Sequence, residues 1–120
     1  MNSRYKGLGT TQAATNAESM LKSLSDISPE DQLAIDERLI ELDGTKNKSK
    51  LGANAILSVS LASARAAANS LNTPLYEYLN IVYGNISGHK SSMSVPVPML
   101  NIMNGGCHAN NDVDIQEFMI

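Results

Sequence analysis

Residues 52–71 read GANAILSVSLASARAAANSL, and no other segment limits the possible folds as much. Small apolar side chains cover nearly the whole helical circumference. The polar exceptions Asn54, Ser58, Arg65 and Asn69 fall on one narrow strip at helical spacing. Such a helix would be about 30 Å long. The pattern predicts that it is largely buried, and its alanines and serines would let other helices approach closely. The core has to be built from Leu, Ile, Val, Met and Ala, because the 120-residue chain has no Trp and one Phe. The same segment is too short and too often interrupted by polar residues to span a membrane. No Lys/Arg-rich tract suggests a surface anchor. A net charge of −3 argues against a nucleic-acid partner, which selects for a basic patch.

The flanking segments predict three more helices. Thr10 or Thr11 can cap a helix to about Ser25, with Ala14, Ala17, Met20, Leu21 and Leu24 as its apolar stripe. Ser28 is the expected cap of the next, followed by Pro29, Glu30 and Asp31, with Gly44 as the stop. Ile35, Leu39 and Leu42 line one face of this helix, and Leu33 and Ile40 suggest a second contact. Thr73 and Pro74 open a fourth helix, LYEYLNIVYG. Residues 84–94 are rich in Gly, Ser and Asn and read as a linker. Residues 1–9 read as a loop without the apolar core of a signal peptide.

Two strands follow, at residues 95–103 (VPVPMLNIM) and 115–120, joined by a polar loop. The prolines rule out a helix in the first. Any chemistry is concentrated in residues 104–117, NGGCHANNDVDIQE. Gly105 and Gly106 permit a tight turn and a close backbone approach. His108 can bind an anion or transfer a proton. Gln116 and Glu117 are adjacent, so only one can face a given site unless the strand bends. As a class, Asn/Asp/Gly loops between strands are more often plain turns than sites. The spacing of Asn110, Asp112 and Asp114 resembles a calcium loop, but Ile115 stands where that motif requires Gly. Gly7-Leu8-Gly9 lacks a preceding strand and is weak as a phosphate loop. His89, Cys107 and the Lys46, Lys48, Lys50 run read as bystanders. No Ser/His/Asp set has a recognisable spacing. The single cysteine cannot form an internal disulfide, which favours a reducing compartment.

Two long colinear stretches resemble the enolase family. ELDGTKNKSKLGANAILSVSLASARAAA resembles its LDGT-x-NKS-x-LGANAIL-x-VSLA segment. SVPVPMLNIMNGGCHANNDVDIQEFMI resembles the stretch from PVP through NGG-x-HA to QEFMI, in its bacterial form. Tyr5, Gly7 and Gly9 fit RY-x-GKG upstream. The resemblance implies an α/β protein represented here by an internal fragment. Residues 1–84 would be the helical part of the α+β N-terminal domain, and 85–94 a linker. Residues 95–120 would open the C-terminal β/α barrel with its first two antiparallel strands, around an active-site loop at 104–114.

The implied activity is that of phosphopyruvate hydratase, a carbon–oxygen lyase of glycolysis and gluconeogenesis. It interconverts 2-phosphoglycerate and phosphoenolpyruvate with magnesium (Mg2+). By resemblance, His108 helps close the site around the phosphate, Gln116 hydrogen-bonds the substrate, and Glu117 lies near the leaving hydroxyl. Cys107 replaces the usual Ser. The catalytic acid, the lysine base and the carboxylate metal ligands would follow Ile120. The first substrate loop and the N-terminal sheet strands would precede Met1. No metal ligand is therefore expected in this chain, which alone should be inactive. The family further implies a homodimer or higher oligomer and a cytoplasmic location, with some members at the cell surface or secreted. The alternative is a non-catalytic, stand-alone helical protein that binds a partner.

Overall fold

The computed structural model describes residues 10–89 and 92–120. The His108 side chain lies outside that description, as do Tyr5, Gly7 and Gly9. Four helices, α1 (Thr11–Lys22), α2 (Gln32–Asp43), α3 (Ala53–Ser70) and α4 (Leu75–Ser87), precede two antiparallel strands, β1 (Asn101–Asn104) and β2 (Glu117–Met119). This is the mostly helical arrangement, followed by a strand pair, that the sequence predicts.

α3 is the spine. Its first half buries Ala55 and Val59 against Met20 of α1 and Ile35 and Leu39 of α2. Its second half buries Ala64, Ala67 and Ala68 around Tyr78 of α4. Small side chains on α3 leave room for the large ones opposite, as close packing requires. Among the described residues only one face of α3 is covered, however, so the expectation of a largely buried helix is corrected. Leu57 and Leu61 are 57% and 58% exposed, on the same open side as the polar strip Asn54, Ser58, Arg65 and Asn69. Three neighbouring helices cover less than the full circumference.

Directional polar contacts set how the helices align. At one end of α2, Gln32 Nε2 donates to Asp36 Oδ1 at 3.0 Å and to Ser60 Oγ of α3 at 3.1 Å. At the other end, the buried Asp43 carboxylate accepts from the backbone N–H groups of Thr45 (2.9 Å) and Leu51 (2.7 Å) and from the Thr45 hydroxyl. Asp43 thus ties the end of α2 to the start of α3. Asn16 Nδ2 of α1 donates to the Leu51 carbonyl at 2.7 Å. Tyr78 Oη donates to the Glu30 carbonyl at 3.2 Å. Burial, and after it the charges of Glu30, Asp31 and Asp36, push the Tyr78 hydroxyl above its ordinary pKa.

Several helix ends differ from expectation. Asp31, not Ser28, caps α2, and its carboxylate accepts from the Ala34 N–H at 3.1 Å. Ser28 instead closes a turn through its carbonyl to the Asp31 N–H, which leaves Pro29 and Glu30 ahead of the helix. The ionised cap is the stronger acceptor. α1 stops at Lys22, and Thr10 sits at its cap position without a side-chain bond. Leu21, expected in the α1 stripe, is exposed, as is Ala14; Leu33 and Ile40 of α2 also remain about half exposed, without the second contact. Thr73 bonds back to the Leu71 carbonyl, and Pro74 occupies the α4 cap position. α4 continues through Gly84 into the expected linker, and Gly88 ends it in the left-handed conformation, as Gly44 ends α2.

Two stability predictions follow from this packing. Leu39 is fully buried at the α1–α2–α3 junction, so Leu39→Ala should cost about 2–5 kcal/mol in urea denaturation. A cost under about 1 kcal/mol would mean that the junction is not close-packed. Burial opposes the charge of Asp43. Hydrogen bonds from the Thr45 hydroxyl and from the N–H groups of Leu51, Thr45 and Lys50 outweigh it and hold the carboxyl below its usual range. A pKa lowered by folding stabilises the fold above the unfolded value of about 3.9 and loses that effect as pH falls through the folded value. Asp43→Asn should therefore be less stable than wild type at pH 7, with the gap narrowing below about pH 4. A gap unchanged down to pH 2 would contradict this account of Asp43.

Candidate functional site

The candidate residues lie on the hairpin at 100–120. β1 and β2 pair Asn101 with Met119, Met103 with Phe118 and Asn104 with Glu117; the register shifts between Asn101 and Met103, leaving Ile102 as the extra residue. Reciprocal backbone bonds between Leu100 and Ile120, at 2.7 and 3.0 Å, close the outer end. Both strands are shorter than expected. Residues 92–99 are not paired as a strand, and the prolines at 96 and 98 have no N–H to contribute to one.

At the inner end the chain narrows to a neck. The Gly105 N–H donates to the Gln116 carbonyl at 2.8 Å, and the Gly106 N–H to the Val113 carbonyl at 2.6 Å. The two glycines are needed for different reasons. Gly105 is buried, and a Cβ there would collide with the carbonyl oxygens of Val113 and Ile115 and lie 2.8 Å from Val113 Cβ. A Cβ at Gly106 would make only ordinary contacts, the nearest at 3.5 Å to Gln116 Cα, but its φ of +65° is left-handed. A 3-10 turn, Gly106–His108, then lifts the loop away from the neck, and the Ala109 N–H returns to the Gly106 carbonyl at 3.3 Å.

This neck brings the three candidates onto one hairpin. His108 ends the 3-10 turn. Gln116 is fastened to Gly105 through its carbonyl, and Glu117 opens β2 opposite Asn104. The backbone bends at Ile115 and Gln116, so strict strand alternation does not extend to Gln116. That bend removes the objection that adjacent residues of a strand cannot serve one site. Gln116 and Glu117 are both exposed.

Asn111 is a residue that sequence reasoning missed. Its Nδ2 donates to the Asn104 carbonyl at 2.9 Å, and its Oδ1 accepts from the Val113 N–H at 3.1 Å. Asn110 and Asn111 are equivalent by composition, so only the loop path reveals which of them spans it.

Residues 92–120 contain no Lys or Arg, while Asp112, Asp114 and Glu117 contribute three carboxylates. An anionic ligand would meet repulsion here unless positive charge came from elsewhere. Among the described residues, no group of three or more His, Cys, Asp or Glu side chains could hold a metal ion. Magnesium requires a near-octahedral oxygen set, which these residues do not fit. No described helix is long and apolar enough to cross a membrane.

The two neck glycines generate an ordered prediction. Gly105→Ala should disrupt the hairpin more than Gly106→Ala, although only Gly106 is left-handed, because the Gly105 Cβ would strike backbone atoms that cannot move aside. Overpacking of this kind costs about 1–3 kcal/mol. Cα chemical shifts at 101–104 and 117–119 should move towards random-coil values in Gly105→Ala. Larger shifts in Gly106→Ala would reverse the assignment.

Family comparison agrees with this geometry. The sequence matches the enolase N-terminal domain over residues 1–79 and the enolase C-terminal TIM barrel domain over residues 92–120. The first match alone covers 79 of 120 residues, and the second takes in the whole hairpin. With both matches colinear with the helical unit and the glycine-necked hairpin that follows it, the chain belongs to the enolase family.

Proposed function

We propose that this chain serves the reversible dehydration of 2-phosphoglycerate to phosphoenolpyruvate, as part of an enolase working in the cytoplasm as a homodimer or higher oligomer. Its share of the site is the hairpin loop at 104–114 with Gln116 and Glu117 at its base. The observation that carries this reading is the glycine neck, which fastens the turn bearing His108 to the backbone of Gln116, next to Glu117.

The chemistry matches these residue types. Taking a proton from the carbon beside a carboxylate builds a doubly charged, enolate-like species, and such charge needs fixed donors around it. Bound magnesium would supply most of the compensating charge. Gln116 offers an amide donor to the substrate. His108, on the loop, faces the phosphate when the loop closes. Glu117 stands near the departing hydroxyl, where a proton must be delivered or held. The acidic hairpin has no Lys or Arg of its own. The base, the metal ligands and the remaining cations are therefore assigned to barrel segments other than 92–120. A complete barrel of this kind takes about 250 residues.

The 120-residue chain incubated with 2-phosphoglycerate and magnesium should form no phosphoenolpyruvate above background. Joined in frame to the remaining barrel of a working enolase, it should turn over. In that hybrid, His108→Ala and Glu117→Gln should each lower kcat by about 10²–10⁴-fold, the range of general acid–base contributions. A folded but inactive hybrid, or variants as fast as their parent, would overturn the assignment.

A further inference from the structure

We infer that Asn111 is a positioning residue: its side-chain amide pins the His108-bearing loop in the shape that receives substrate. The inference rests on the enolase reading above and extends it to a residue that need not touch the substrate. Both ends of the amide are used. Nδ2 reaches the carbonyl of Asn104 at the end of β1, and Oδ1 takes the N–H of Val113 on the returning limb. Val113 in turn accepts from Gly106, the first residue of the 3-10 turn. The path from β1 through Asn111 and Val113 to Gly106 thus closes on the base of the turn that carries His108. Asn101 Nδ2 braces the same corner by donating to Asn104 Oδ1 at 2.6 Å.

Among the described residues these side-chain bonds replace a hydrophobic anchor. Most of the loop is exposed, and Gly105 is its buried residue. With no apolar burial to hold it, the loop's shape depends on a few directional bonds. Removing Asn111 should leave the strands paired and lower the fraction of loops that are ready to bind. Apparent affinity falls in proportion to that fraction.

The test uses the active hybrid of residues 1–120 with a complete barrel. Asn111→Ala should raise KM about fivefold, the effect of losing two exposed hydrogen bonds at about 0.5 kcal/mol each, while kcat stays within about twofold and the melting temperature is unchanged. A merely structural loss would lower the active fraction, reducing kcat and leaving KM alone. Amide exchange provides a second readout. The Val113 and Gly106 N–H groups should exchange about fivefold faster in Asn111→Ala. Asn111→Asp keeps the acceptor and should retain protection at Val113. Unchanged KM together with unchanged exchange overturns the inference, as does a fall in kcat alone. If the parent hybrid folds but is inactive, the functional reading has failed, and exchange at Val113 and Gly106 still decides whether Asn111 pins the loop.

Discussion

Small side chains on one face of α3 make the helical unit possible. Ala55 and Val59 admit Met20, Ile35 and Leu39, and Ala64, Ala67 and Ala68 admit the ring of Tyr78. Hydrophobic burial of this kind is strong but has no direction. The alignment comes from the polar contacts at the rims. Gln32 to Ser60 and Asp43 to Leu51 hold the two ends of α2, so it runs back along the first half of α3. Asp43 meets the cost of burying a charge by accepting from the Thr45 hydroxyl and the N–H groups of Thr45, Lys50 and Leu51, the arrangement a buried carboxylate requires.

Among the described residues, Leu57 and Leu61 on the open face of α3 and most of the hairpin are exposed. A two-stranded hairpin is marginal in water without a sheet or helix to pack on. The glycine neck therefore has a specific place in the structure. It fastens the loop through backbone bonds, which do not depend on a core beneath. Its surroundings are acidic, with Asp112, Asp114 and Glu117 and no Lys or Arg across residues 92–120, so an anion there would need positive charge from elsewhere.

Much of the fold was legible in the residues. Helical spacing located α3 to within a residue at each end, and Gly44 ended α2 where expected. The misplaced cap of α2 shows where such reading fails. Ser28, Pro29 and Asp31 all carry start signals, and local rules do not rank them. Asp31 won because its carboxylate reaches the Ala34 N–H while Ser28 closes the turn before it. The prolines of 95–103 excluded a helix, as read, but regular pairing starts only at Asn101, opposite Met119, a register that residue type alone does not specify.

His108, Gln116 and Glu117 could be named from residue type and family resemblance, because chemistry depends on which groups are present. The two glycines could be named because a tight neck tolerates little else. The sequence by itself thus determined the helices, the hairpin and the identity of its polar groups, all of which are local properties of neighbouring residues. Only the folded structure decided which face of α3 was covered, that Asp31 rather than Ser28 capped α2, that the chain bends at Gln116, and that Asn111 rather than Asn110 spans the loop. The covered face of α3 depends on helices distant in sequence that come within van der Waals reach, whereas the α2 cap and the Asn111 bonds span only two to seven residues and depend on the path the backbone takes, which spacing along the sequence does not specify.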